Sequence, residues 1–485
     1  MGVRNLASYR VLACGALAAA MVLADIAAAH PSESRQQTSP TRAATLSRSW
    51  KQLRTPAFTI VGDAPESVLN EIRTDLEAFR AAVRQAVPAF NFSSPVQTSV
   101  VVFKDNAEFS SFKPRDSRGK PMPNVGGYFY TRPYGNFIVF GSAGQPFDLR
   151  LIFHEYTHYL VHRSGRPLPG WMDEGLSDFY STFKRRWQGK TVLGWPSAER
   201  LAALRNRTFI PVRTIVTPQP DQMEEIWRSP GRIGQYYAES WALVHYLIVE
   251  RKASISSYLD ALGDARSQDE AFRRAFGVDL DTINRELQTY VRRFSFSALV
   301  AEPVDDASPT VQATRMREAD VRLLRGRLLG DSSAYAEAES ELQAALALDP
   351  EDIDARIELA RNMSQRDRRS EAVALLDEIV KAAPSHPPAH YFHGVELAAS
   401  WRHADALAAF ERAVTLNASV SEPWMRLSAS ALALGRDQQA AAALRRGLDL
   451  DSNPELYRVH AGDAFAVARN LAAAAAARTY PTLFT

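Results

Sequence analysis

The chain has 485 residues, a formal net charge of +2 and 46% hydrophobic residues. That length suffices for two or three domains. The balanced charge and the lack of a basic stripe argue against a nucleic-acid partner. No Gly-rich phosphate loop is present, and beyond the N-terminal segment no apolar run suggests a membrane span.

Residues 1–29 read as an export signal, so the chain is expected in the periplasm or outside the cell. Arg4 and Arg10 precede the apolar run VLACGALAAAMVLA, and Ala27-Ala28-Ala29 offers a small-residue cleavage site before His30. An uncleaved anchor is the alternative. Cys14 is the only cysteine. It follows Arg10 too closely for a lipoprotein site, and once the signal is removed the chain has no disulfide, thiol chemistry or cysteine-bound metal. Residues 30–46 are polar and read as a disordered linker.

From residue 47 the pattern is mixed. TPAFTIVG (55–62) reads as a strand. Residues 65–86 form an amphipathic helix, with Val68, Leu69, Ile72, Leu76, Phe79 and Val83 on one side. TSVVVFKD (98–105) reads as a buried strand, and GGYFYTR and NFIVFGS flank Pro133-Tyr134-Gly135 as a hairpin.

Directly after the hairpin comes HEYTH, with His154, Glu155 and His158. Helical positions i and i+4 share a face about 6 Å apart, so His154 and His158 can aim two imidazoles at one point, with Glu155 beside them. Gly165, Pro167 and Pro169 end this helix. A second helical pattern starts near Trp171 and carries Glu174 in its first turn. A tight antiparallel turn lets Glu174 face the imidazoles. Two imidazoles, a carboxylate and an open fourth position suit a catalytic zinc. Asp178, one turn beyond Glu174, can accept the free N–H of a ligand histidine. The bland alternative is a core helix with buried histidines, or a degenerate site.

HExxH followed by Glu in WMDEGLSD resembles the gluzincin metallopeptidases, and within them the peptidase MA-like proteins. The resemblance implies an α+β gluzincin-like domain over 47–295. It also implies one Zn2+ held by His154, His158 and Glu174, Glu155 as general base, and hydrolysis of a peptide or protein substrate. It implies as well that an edge strand near the metal pairs with the substrate backbone, for which Gly126-Gly127 and the hairpin are candidates; an ordinary sheet edge is the alternative. The chain departs from the metzincin pattern at Val161 and Ser164, and His162 lies two turns (about 12 Å) from His154 on one helix.

Residues 184–295 are mainly helical, with a short strand at TVLGWP (191–196) and a loop from Pro211 to Gln222. In QYYAESWALVHYLI (235–248), Tyr237, Trp241, Val244 and Leu247 or Ile248 have helical spacing and read as core. This stretch resembles the C-terminal helix of peptidase MA-like domains, in which a tyrosine near the helix start can reach the metal. Tyr237 is the candidate oxyanion donor, with Tyr236 second. His245 reads as a core or outer-shell histidine.

Residues 296–318 show no sustained period and read as an interdomain linker. From 319 the chain repeats every 34 residues: Ala338, Ala372, Ala406 and Ala440 fall in register, as do Leu342, Leu376, Phe410 and Leu444, and Gly326, Ala360, Gly394 and Ser428. The pattern resembles the tetratricopeptide repeat, four units over 319–454, which implies an all-α solenoid whose groove binds a protein partner. Residues 455–485 read as a capping helix and tail. Two other functions stay open: an interaction scaffold with a vestigial metallopeptidase fold, and a hydrolase of a non-peptide, cell-wall amide.

Overall fold

The computed structural model describes residues 45–451 apart from 88–89, 91, 93–95, 117–118, 123–124, 142–148, 164–167, 188–189, 206, 253–254, 266 and 302–310. The expected signal and the expected capping helix lie outside the described residues. The first half contains β1 (Leu46–Arg54), β2 (Phe58–Gly62), α1 (Glu66–Ala86), β3 (Thr98–Phe103), α2 (Asn106–Ser110), β4 (Gly127–Arg132), β5 (Gly135–Gly141), α3 (Arg150–His162) and α4 (Gly170–Ser181). There follow β6 (Lys184–Trp187), β7 (Lys190–Leu193), α5 (Ala198–Arg205), α6 (Val212–Val216), α7 (Pro220–Arg228) and α8 (Pro230–His245), which ends in a π-helical turn over Tyr246–Glu250. Next are α9 (Ile255–Asp264), α10 (Gln268–Phe276), α11 (Leu280–Tyr290), β8 (Leu299–Ala301) and β9 (Thr314–Arg317). Among the described residues no helix is long and apolar enough to cross a membrane.

Six strands form one sheet in the order β4-β5-β3-β2-β1-β9, with β2, β3 and β5 parallel and the other pairings antiparallel. Side chains alternate across the pleat. Val100, Val102, Ile138 and Phe140 enter the core on one face. There Phe79 of α1 stacks on Phe153 of α3 with ring centroids 4.4 Å apart. Val101, Phe103, Phe137 and Val139 point to the other face and share a continuous core with the helices that follow residue 318. A parallel strand buried on both faces must be apolar at nearly every position, which is why TSVVVF has no polar alternation.

Eight helices complete the chain: α12 (Glu318–Asp331), α13 (Tyr335–Leu348), α14 (Ile353–Gln365), α15 (Arg369–Ala382), α16 (Pro387–Ala399), α17 (His403–Leu416), α18 (Ser421–Ala433) and α19 (Asp437–Leu450). Each 34-residue unit is one helix pair, as its period requires. The small register positions allow close crossing: a Cβ on Gly326 would lie 2.7 Å from Leu342 Cγ, and one on Gly394 2.7 Å from a Phe410 ring carbon.

Two sequence expectations need correction. Residues 211–222 are not simply a loop: α6 lies within the segment and α7 begins in it. α6 is too short to display a helical period, and α7 is reached through Pro218 and Pro220, which read as turn signals. Residues 296–318 are not a free linker, because β8 pairs with β7 and β9 extends the main sheet beyond β1. β9 reads TRMR, and only Met316 is well buried. An edge strand rich in charge is a common way to guard a sheet edge, and it erases the hydrophobic alternation by which strands are recognised.

The repeats therefore complete the cover of one face of the sheet, part of which Phe109 of α2 and Phe112 supply against Phe103. Burial of Val101, Phe103, Phe137 and Val139, each 2% exposed or less, contributes up to roughly 6–12 kcal/mol at about 1.5–3 per side chain. That is comparable with the whole stability of an ordinary domain, about 5–15 kcal/mol. A chain ending at Phe296 should accordingly be recovered aggregated or without cooperative unfolding, as read by sedimentation and thermal circular dichroism. A soluble, cooperatively melting product would show that the sheet does not need the repeats.

Candidate metal centre

The three candidate ligands come together from α3 and α4. His154 and His158 lie one turn apart, and their Nε2 atoms are 3.1 Å apart. Glu174 Oε2 is 3.6 Å from each of those nitrogens. His154, early in α3, meets Glu174 and Asp178, whereas His162, at the end of α3, meets Asp173 near the start of α4. Early residues pairing with late ones means that the two helices run antiparallel. A third helix fixes α4 from behind. A Cβ on Gly175 would lie 2.5 Å from Ser240 O and 2.5 Å from Val244 Cγ2 of α8, so only glycine permits this approach.

The outward nitrogens of both imidazoles are also held. His154 Nδ1 lies 3.0 Å from Asp178 Oδ1, the outer partner expected from the sequence. His158 Nδ1 lies 2.7 Å from Asp173 Oδ1. If each Nδ1 carries its proton, each Nε2 presents a lone pair to the shared centre. Arg200 of α5 sits 2.7 Å from Asp178 Oδ2 and steadies that carboxylate. Asp173 and Arg200 were not anticipated. Asp173 directly precedes Glu174, and its position opposite His158 follows from the antiparallel turn. Arg200 lies beyond the motif in a separate short helix and left no local signal. His162 Nε2 is 2.9 Å from the other oxygen of Asp173, so it belongs to the support of that carboxylate rather than to the His154–His158–Glu174 set.

The distances fit a small tetrahedral cation. Bonds of about 2.0–2.2 Å to nitrogen and oxygen place neighbouring ligands roughly 3.3–3.5 Å apart, close to the 3.1 and 3.6 Å edges of this triangle. His154, His158 and Glu174 could thus hold a metal ion, and a second, overlapping group is formed by His158, His162 and Asp173.

Burial works against charge throughout this site, but close opposite charges prevail. Burial opposes protonation of His154, yet its bonds to Asp178 and Glu174 raise its pKa to about 9. Burial would likewise raise the carboxylates, yet the two histidines pull Glu174 down to about 2, and the His158 and His162 imidazoles hold Asp173 well below the carboxylate range. Glu155 behaves differently. It is 3% exposed, burial pushes its pKa up despite the nearby histidines, and its Oε1 has no hydrogen-bond partner among the described residues. A buried carboxylate oxygen left without a donor is costly unless a ligand or water serves it.

Tyr236, rather than Tyr237, faces this site. Ser240 and Val244 are the α8 residues that meet Gly175, and Tyr236 is one turn before Ser240 on the same side. Its hydroxyl would lie 3.3 Å from a Cβ on Gly170, at the start of α4. The negative charges of Glu174 and Asp173 add to burial in raising its pKa above the usual tyrosine range. Tyr237 is turned by about 100° on the same helix and packs, half-buried, against the main core. Helical phase thus favours Tyr236, the second candidate from the sequence, over Tyr237. His245 is a core residue: it is fully buried, with Nδ1 2.7 Å from Tyr290 Oη and Nε2 3.0 Å from the Gly194 carbonyl oxygen.

Comparison with known proteins covers the two halves unequally. Residues 331–394 match a tetratricopeptide-repeat family model, and with the four helix pairs in register this makes the C-terminal part a tetratricopeptide-repeat solenoid. Residues 149–267, which span α3, α4 and α8, match a family described as a protein of unknown function (DUF1570). No curated protein matches the chain. Among solved structures it is similar to a thermophilic TPR protein of Thermus thermophilus, TTC0263, with 21% identity, 34% of this chain and 92% of that chain covered and a TM-score of 0.30. It is also similar to MamA 41-end from Desulfovibrio magneticus RS-1, with 19% identity, 27% and 75% coverage and a TM-score of 0.25.

The electrostatics give a pH signature. The His154 pKa is raised above its ordinary 6.5 to about 9, so in metal-free protein the stabilisation from its contacts is complete below 6.5 and is lost as pH rises through about 9. A bound cation must displace that proton, so its apparent affinity should rise with pH over the same window, about tenfold per unit for each proton released. Melting temperatures compared with those of a His154→Gln variant should show the stabilisation fading with pH in metal-free protein. The trend should reverse with zinc added. A wild-type excess that grows with pH in metal-free protein contradicts the assigned contacts.

Proposed function

We propose that the protein is an exported zinc-dependent metallopeptidase of gluzincin type, acting on a peptide or protein substrate. The observation that carries this reading is the convergence of His154 Nε2, His158 Nε2 and Glu174 Oε2 beside a buried Glu155 carboxylate, one oxygen of which has no hydrogen-bond partner among the described residues. Each imidazole is backed by its own aspartate. The similarity of this segment to a family of unknown function neither adds an activity nor removes one. The export assignment rests on the composition of residues 1–29 alone.

In this reading His154, His158 and Glu174 hold the ion, and Asp178 and Asp173 keep the two imidazoles in the tautomer that presents Nε2 inward. A zinc ion held there supplies Lewis acidity and neutralises developing negative charge. Glu155 takes the proton of the attacking water and returns it to the leaving amine; burial pushes its pKa up, the direction that favours a carboxylate accepting a proton. Tyr236 is placed to donate its hydroxyl proton in a hydrogen bond to the oxyanion of the tetrahedral intermediate. β4 is an outer strand of the sheet and adjoins α3, where Phe129 packs on Tyr159. Its free edge is the candidate for pairing with an extended substrate.

Purified wild-type protein should carry about one zinc per chain, and Glu155→Gln should retain the metal while turnover falls at least about 100-fold. Elemental analysis together with digestion of a broad peptide library tests both. Metal-free wild-type protein after zinc loading, or full turnover by Glu155→Gln, overturns the reading. Tyr236→Phe should lower kcat about 10²–10³-fold if that hydroxyl is the oxyanion donor, with Tyr237→Phe close to wild type. The opposite ranking would restore Tyr237 to the role.

A further inference from the structure

The surface that would receive a protein partner is already occupied by the chain itself. The β4–β5 turn, Arg132-Pro133-Tyr134, projects from the sheet into the face formed by the first helices of the repeat units. Arg132 pairs with Asp331 at the end of α12 and, at 2.9 Å, with Glu358 of α14. Tyr134 packs edge-on against Tyr391 of α16 with ring centroids 5.9 Å apart. Tyr391 in turn donates its hydroxyl to Glu422 of α18 at 3.1 Å. Arg132 and Tyr134 are 4% and 1% exposed. Two side chains of one turn thus engage all four units, the last through Tyr391.

We propose that this face of the repeats is a recognition site for an arginine followed two residues later by an aromatic, and that the β4–β5 turn is its resident ligand. A second protein binds there by presenting a turn of the same chemistry and displacing the hairpin. Three features favour a displaceable ligand over a permanent core. Glu358 is shared: Arg327 lies 2.7 Å from it and Arg361 also pairs with it. Withdrawal of Arg132 therefore leaves no buried carboxylate unpaired, which is the circumstance that makes most buried ion pairs costly to open. Asp331 keeps Arg361 within 3.9 Å. The β4 limb of the turn is paired on one side only, with β5, whereas β5 is also held by β3, so release of the β4 limb disturbs one strand pairing rather than two. Because β4 adjoins the HEYTH helix, occupation of the repeat face by another protein would free or reposition the strand beside the metal site.

Hydrogen exchange on the full-length chain tests this without reference to any activity. Arg132→Gln removes the charge of the turn and leaves Glu358 paired with Arg327 and Arg361. It should accelerate exchange over residues 127–135 by about tenfold, the loss expected for a charge-assisted bond, and leave α3 and α4 unchanged. Unchanged protection over 127–135 would mean that the sheet alone holds the hairpin, and protection lost throughout the chain would mean that the turn is core; either overturns the proposal. In a second measurement, a labelled peptide of residues 130–137 is titrated against the full-length chain and against Arg132→Ala/Tyr134→Ala, which vacates the site. Binding to the double variant should be at least about tenfold tighter than to wild type, and adding Glu358→Gln should abolish that gain. Equal binding to both chains, indifference to Glu358→Gln, or a double variant without helical circular dichroism would each overturn it.

Discussion

A sheet covered on both faces is the constraint from which the rest of the molecule follows. Its central strands are apolar on both sides, so neither half of the chain can satisfy them alone. α1 and α3 cover one face, and α2 with Phe112 and the helices after residue 318 together cover the other through a shared core. The strand that leads into the repeats, β9, is itself the sixth member of the sheet. The solenoid is thereby part of the first domain's architecture rather than an appendage on a tether. Its first helix also reaches α2, where Arg325 pairs with Glu108 at 2.5 Å and lies over the ring of Phe112.

This arrangement also positions the candidate site. α3 is fixed by its packing on the sheet, α4 by its antiparallel contact with α3, and α4 in turn by α8 against Gly175. Three rigid helices and two aspartates thus define where the Nε2 atoms point. Sites built on packed helices hold their geometry better than sites on loops. Glu155 is the exception in this site: Asp173, Glu174 and Asp178 each pair directly with a histidine, whereas one buried oxygen of Glu155 has no hydrogen-bond partner among the described residues.

Much of this was legible in the residues. The i, i+4 histidines, the break at Gly165 to Pro169 and the placement of Glu174 and Asp178 depend on helical geometry alone, and helical geometry is what a sequence encodes most directly. The 34-residue register was equally plain, because each unit repeats the same small and large positions. What escaped had weak or distant signals. Residues of β1 bury Ser47, Trp50 and Leu53, three apart rather than two, because Trp50 and Leu53 enter the cores on opposite faces of the sheet. β9 has one buried apolar residue. Arg200 reaches Asp178 only through the tertiary fold. The second cover over the sheet did leave a trace: TSVVVF and NFIVF are apolar at consecutive positions, which already requires packing on both sides.

The central claim is that two imidazoles and one carboxylate form a specific zinc site, and X-ray absorption at the zinc edge of the zinc-loaded, full-length protein tests it most directly. The account predicts four-coordinate zinc with two histidine nitrogens at about 2.0–2.1 Å and oxygen in the remaining positions, with one nitrogen lost in His158→Ala. Six-coordinate zinc surrounded by oxygen alone, unchanged by His158→Ala, would show adventitious binding and contradict it.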